Sequence, residues 1–198
     1  MRRRKNMTRG YSLIELLVGI SILVIVTAMA VPIMSYSAEY SRAAAAARYV
    51  AGRITIARTE AVKRSTNVAL RFERQNDHYR FGTYADGNGN GVRNTDIARK
   101  IDFPLVLAEQ LENHFSGVTF GLHEGVLPVS PDDSLVDGDP IRVGRSDMVS
   151  FSPLGSATSG TVYIRGRGKQ QFAVRVLGVT GRVSVLRFDF QNRRWAAP

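Results

Sequence analysis

An uncharged run over residues 16–38, entered through a basic leader and a single acid, constrains this chain more than any other feature. Arg2, Arg3, Arg4, Lys5 and Arg9 lead to Gly10, and Tyr11-Ser12-Leu13-Ile14-Glu15-Leu16-Leu17-Val18 opens the apolar segment. Residues 11–31 number 21. At a rise of about 1.5 Å each they reach about 30 Å, one hydrocarbon thickness. A carboxylate near the bilayer centre costs about 2.5–3.5 kcal/mol, so Glu15 should have a partner or a task. The positive flank places residues 1–10 on the cytoplasmic side of the membrane and the chain beyond the span on the other.

Two other readings of this N-terminus stand beside a retained, processed helix. A secretory signal peptide would end at a small-residue site, for which Ala28-Met29-Ala30 offers a match, but the apolar run continues past it. A plain single-span anchor is the other. Met7 is an alternative start, leaving Met7-Thr8-Arg9-Gly10 as the leader. Gly19 and Pro32 interrupt the run, and a proline inside a helix removes a donor and kinks the backbone at about 3 kcal/mol.

Past Ser37 the pattern turns amphipathic. Tyr40, Ala43, Ala47, Val50, Ile54, Ala57 and Ala61 recur every three or four residues and draw one apolar stripe. The spacing predicts one helix over residues 11–64. From Asn67 the period becomes two, and residues 68–72, 78–84, 117–120, 148–151, 161–164, 172–176 and 182–188 read as strands separated by Gly and Asp clusters. The fold class is α+β: a long N-terminal helix, half transmembrane and half amphipathic, packed on an antiparallel β-sheet domain. The domains expected are a leader at 1–10, a transmembrane segment at 11–38, and a globular domain at 39–198 on the far side of the membrane.

The absence of cysteine excludes disulfides, zinc-thiolate sites and thiol nucleophiles. Residues 161–198 hold eight Lys or Arg against Asp189 alone, whereas residues 75–160 hold six basic and twelve acidic residues. A basic strip carrying Arg182, Arg187, Arg193 and Arg194 among Tyr163, Phe188, Phe190 and Trp195 suits phosphates and stacked bases of DNA, or simply an acidic neighbour. Asp86, Asn88, Asn90, Val92 and Asp96 follow the opening spacing of a calcium loop, although Ile97 stands where the closing acid belongs. A Gly/Asn turn is the alternative. His78, His114 and His123 are isolated, Gly166-Arg167-Gly168-Lys169 lacks the glycine and hydroxyl of a phosphate loop, and Gly144-Arg145-Ser146-Asp147-Met148 lacks the closing glycine of a nucleophile elbow. No enzyme is expected.

The block Gly10-Tyr11-Ser12-Leu13-Ile14-Glu15-Leu16 resembles the class III signal of type IV pilins and pseudopilins. Phe151-Ser152-Pro153-Leu154-Gly155-Ser156-Ala157-Thr158-Ser159-Gly160-Thr161-Val162-Tyr163-Ile164, followed by Val176-Leu177-Gly178-Val179-Thr180-Gly181-Arg182-Val183, is similar to the C-terminal signature of the H-type (GspH/FimT) minor pseudopilins. The resemblance implies cleavage by prepilin peptidase between Gly10 and Tyr11, methylation of Tyr11, and pairing of Glu15 with a Tyr11 amine. It implies a helix that bends at Pro32 and assembly with other pilins in a type II secretion pseudopilus or type IV pilus. FimT-like pilins that take up DNA use a Gly-Arg-x-Arg motif; Gly181 and Arg182 match it, and Ser184 departs from it.

Overall fold

The computed structural model describes residues 12–129 and 138–198, with residues 29–35 described as backbone alone. The chain divides into two compact units, Met1–Ala38 and Glu39–Pro198. Helix α1, Leu13–Arg64, is the long helix the spacing predicts. Its first turn is closed by the Ser12 carbonyl, which accepts from the Glu15 and Leu16 amides. It stops because Ser65 adopts a left-handed φ of 53°. The Ser65 amide then donates to the Val62 carbonyl and the Thr66 amide to that of Ala61, which satisfies two orphan acceptors. Glu60 pairs with Arg64 at 2.7 Å one turn from this end.

In the first unit the large apolar side chains of α1 point into open space: Leu13 is 81% exposed, Ile14 69% and Leu23 66%. The Ser21 hydroxyl donates back to the Leu17 carbonyl, which hides one polar group inside the helix's own backbone. Among the described residues no helix is long and apolar enough to cross a membrane.

The second unit is built on two antiparallel sheets. The first has the order β3-β2-β1-β6, from β1 (Val68–Gln75), β2 (His78–Ala85), β3 (Phe103–Gln110) and β6 (Met148–Phe151). The second runs β10-β9-β8-β7-β4, from β4 (Thr119–Phe120), β7 (Gly160–Arg165), β8 (Gln171–Leu177), β9 (Arg182–Asp189) and β10 (Arg194–Ala196), with β5 (Ile141–Val143) also paired to β7. The apolar stripe of α1 fills the core: Ala43, Ala47, Val50, Ile54, Ala57 and Ala61 are fully buried. The alanines keep the helix surface low, so the sheet side chains fill the space. Phe72, Phe81 and Phe120 meet there with ring centroids 5.6–6.1 Å apart, and Phe172 stacks obliquely on Tyr40 at 5.8 Å.

Strands β3, β5 and β10 and a short helix α2 (Asn94–Ala98) go beyond the strands the period-two pattern marks. β3 lies at a sheet edge, carries Pro104 and has two register irregularities against β2, so its residues do not alternate. β5 and β10 are three residues each, too short for a period.

Candidate functional site

Glu15 sits in the first turn of α1 with its side chain exposed. An acid there complements the partial positive charge of the helix N-terminus. With Leu16, Gly19, Ile20 and Leu23 it lines a shallow, largely apolar notch of about 340 Å³. Gly19 supplies the hollow, since nothing lies within 4 Å of where its Cβ would be. Among the described residues no group pairs with the Glu15 carboxylate. Gly10 and Tyr11 lie outside the described residues, and the backbone of α1 runs through Pro32 without interruption.

The loop after β2 is organised by two carboxylates. Asp86 accepts from the amides of Asn88 (3.1 Å), Gly89 (2.7 Å) and Gly91 (2.7 Å) and from the Asn67 side chain (3.1 Å). Asp102 accepts from the amides of Gly87 and Arg93 at 3.0 and 2.8 Å, and Asp96 accepts from the Asn90 side chain at 3.1 Å. Burial alone would raise the Asp86 pKa, but the bonds from Asn67, Gly91, Asn88 and Gly89 outweigh it and hold the carboxyl below its ordinary value. The structure therefore brings Asp86, Asn88, Asn90 and Asp96 together, with their polar atoms turned on one another and on the backbone. Val92 is half-buried in the same loop. Among the described residues no cluster of three or more acidic or histidine side chains is arranged to hold a metal ion.

The four arginines of the basic strip do not share one patch. Arg182 pairs in register with Leu177 and Arg187 with Phe172, five residues apart, so their side chains leave opposite faces of β9. The Arg187 guanidinium lies 5.7 Å above the Tyr40 ring, while Arg193 and Arg194 are exposed at the β9–β10 turn. Trp195 is tied down by its Nε1–H bond to the Leu127 carbonyl at 2.8 Å and packs on Phe188 and Tyr163. It is not free to stack a base.

The C-terminal signature forms a pair of turns at the end of the second unit where α1 stops. Gly181, at φ 60°, comes so close to the neighbouring turn that a Cβ would lie 2.6 Å from the Gly155 carbonyl oxygen and 3.1 Å from Arg58 Nε. The Ala157 amide donates to the Gly178 carbonyl at 2.8 Å and locks the turns together. The glycine of the Gly-Arg pair is thus a packing requirement, and Arg182 projects beside it. Two apolar side chains stand almost wholly in solvent on this pair, Leu154 at 97% and Val179 at 93% exposure. Sequence reasoning had no signal for these two, because an outward leucine reads like an inward one.

At the opposite end, beyond the β1–β2 turn, a cleft of about 440 Å³ is lined by Asp77, His78, Glu112, Val118, Thr119 and the arginines Arg165 and Arg167. His78 Nδ1 lies 3.3 Å from Glu112 Oε1, and the other oxygen, Oε2, is buried without a hydrogen-bond partner among the described residues. Nearby Glu109 gathers Tyr49 (2.8 Å), Arg53 (3.3 Å) and His114 (3.0 Å). Burial, then the bond to Glu109, raises the Tyr49 pKa.

Residues 5–31 match the family model of the prokaryotic N-terminal methylation motif, and residues 46–181 match that of the type II transport protein GspH. No curated protein and no solved structure matches the chain.

Proposed function

The chain belongs to the type II transport protein GspH family, which makes it a pilin-like subunit of the type II secretion kind, and we propose that it is a minor subunit processed by prepilin peptidase and assembled through α1. In this reading cleavage between Gly10 and Tyr11 frees an amine, Tyr11 is methylated, and Glu15 pairs with that amine on its own or a neighbouring chain. Residues 11–38 hold the subunit as a single span in the inner membrane, with the domain in the periplasm, until it enters the filament. One observation carries the reading. From Leu16 to Val26 the helix carries no charge and every large apolar side chain is at least half exposed. A helix apolar all round is stable only when lipid or other helices surround it. The filament supplies those helices and the membrane supplies the lipid.

The test is the N-terminal mass of the protein from cells with and without the peptidase. Processing predicts a chain beginning at Tyr11 and one methyl group heavier, present only with the peptidase. An unprocessed N-terminus in both would leave a plain membrane anchor. A second reading, capture of DNA for uptake, draws support from the exposed Arg182, Arg193 and Arg194. It requires binding that weakens steeply with salt and that Arg182→Ala with Arg193→Ala and Arg194→Ala flattens.

A further inference from the structure

The turns that meet α1 mark the two ends of the Glu39–Pro198 unit. At its start a Cβ on Gly166 would lie 2.9 Å from that of Ala43, and one on Gly168 would lie 3.6 Å from the Glu39 carboxylate. Phe172 tilts on Tyr40 at 5.8 Å, and Arg187, its partner in register, lies 5.7 Å above the same ring. The β7–β8 turn, and β9 as it nears its turn to β10, therefore gather at the first residues of the unit. The turns of Gly155 and Gly181 close instead on Arg58, fifteen residues and about 22 Å of helix beyond Ala43. Arg167 and Lys169 stand exposed on the β7–β8 turn, Arg187 beside Tyr40, and Arg193 and Arg194 on the β9–β10 turn. None of these side chains has an ion-pair partner among the described residues. Of the acids nearby, Asp189 accepts from the Gln191 and Asn192 amides and the Asn192 side chain at 2.9, 3.2 and 2.7 Å. Glu112 meets His78 and Thr119. Glu39, Asp77 and Glu124 remain, but Arg42 stands one turn from Glu39 and Arg165 shares a cleft with Asp77. The end keeps an excess of cations.

We infer that this basic end docks on the phosphate layer of the anionic lipid leaflet that holds residues 11–38, before the subunit leaves the membrane for a filament. Glu39 follows Ala38 in the chain. A span over residues 11–38 therefore tethers the β7–β8 turn to one lipid surface at high effective concentration, where a small attraction per charge is enough. Guanidiniums bond phosphate oxygens in pairs, and a lysine tip meets them as a point charge. The turn is shaped to present both: Gly168, at φ 60°, folds the chain back tightly between Arg167 and Lys169, and Gly166 lets it lie against α1. Nucleic acid offers the same phosphates, but it also asks for open aromatic platforms. Here Tyr40 is covered by Phe172 and Arg187, and Trp195 is bonded to Leu127 and packed on Phe188. The inference rests on the reading of residues 11–38 as a membrane span and adds what the folded domain does beside it.

Because the full chain has no cysteine, a fluorophore can be placed on a single thiol. Full-length Gln191→Cys, Ser41→Cys and Val179→Cys proteins, each checked for an unchanged unfolding midpoint, are labelled and reconstituted into vesicles. The vesicles are phosphatidylcholine with or without phosphatidylglycerol, and carry a quencher on the lipid headgroup. Quenching at Gln191→Cys should be several-fold stronger with phosphatidylglycerol and should fall in high salt. It should also fall several-fold when Arg167→Gln and Lys169→Gln are added. Val179→Cys, at the far end, should stay unquenched in both lipids. Equal quenching at Gln191→Cys in the two lipids, or indifference to salt or to the charge variants, overturns the inference. Val179→Cys quenched as strongly as Gln191→Cys does the same. Ser41→Cys reports the span itself. Quenched in both lipids while Gln191→Cys is silent, it removes the dock and leaves the span standing; unquenched in both, it removes the span and the inference together. Retention of duplex DNA that Arg167→Gln plus Lys169→Gln abolishes, with no response to lipid charge, assigns the cations to nucleic acid and also overturns it.

Discussion

The two halves of α1 share one backbone geometry and opposite fates for their side chains. From Leu13 to Val26 its large apolar groups are exposed; after Glu39 an alanine-rich stripe is buried. The difference lies in side-chain size and distribution. Leu, Ile and Val all round the first half leave no polar face to turn to water, so that half depends on surroundings outside its own fold. Ala at four of the six fully buried stripe positions lets the second half sit close to a sheet face rich in phenylalanine. Secondary structure is therefore the same answer to two different solvents.

The sharpest way to break that contrast is to truncate one side chain in each half. Phe81→Ala removes a fully buried ring from the Phe72–Phe81–Phe120 cluster and should destabilise the second unit by about 3–5 kcal/mol in denaturant unfolding. Leu17→Ala should leave that unfolding free energy within about 0.5 kcal/mol, because Leu17 touches none of the core. Equal losses would mean that the halves are energetically one body.

A smaller effect belongs to the loop after β2. Asp86→Ala strips three backbone amides and Asn67 of their acceptor and should cost about 1–3 kcal/mol. The folded carboxyl titrates below its ordinary value of 3.8. Its contribution is therefore complete above that value and is lost as pH falls through the lower, folded pKa. The wild type should show an acid limb of stability that Asp86→Ala flattens; identical acid limbs would remove Asp86 from the account. Calcium at this loop would have to displace those amide donors. Millimolar calcium should shift the melting temperature by less than about 1 °C, and a rise of several degrees would make residues 86–96 a calcium site.

The helical stripe and seven of the strands were legible because burial imposes a period that residue type records. β3 was not, since Pro104 and the register irregularities erase its alternation, and the edge position demands none. The site was legible where chemistry is local. Glu15 stands out as an acid beside an apolar run, and Asn-Gly pairs mark a turn. Asp102, Glu109 and Glu112 were illegible because what defines each is a partner brought in by the fold, such as Gly87 to Asp102 fifteen residues away. The exposure of Leu154 and Val179 was equally hidden, being a property of two turns that meet through Gly155 and Gly181.

The grip of Asp86 on Gly89 and Gly91 also bears on how the protein ages. Asn88-Gly89 and Asn90-Gly91 are exposed Asn-Gly bonds, the pairing most prone to lose ammonia when the glycine nitrogen attacks the preceding side-chain carbonyl. That attack needs the nitrogen to shed its proton. Here both N–H groups donate hydrogen bonds to the Asp86 carboxylate at 2.7 Å, whose negative charge opposes an amide anion beside it. Peptide mapping after prolonged incubation should find both asparagines converted more slowly in the folded chain than in the same peptide alone. Equal rates would deny the loop this protection. The carboxylate that shapes the loop would then also slow its chemical decay.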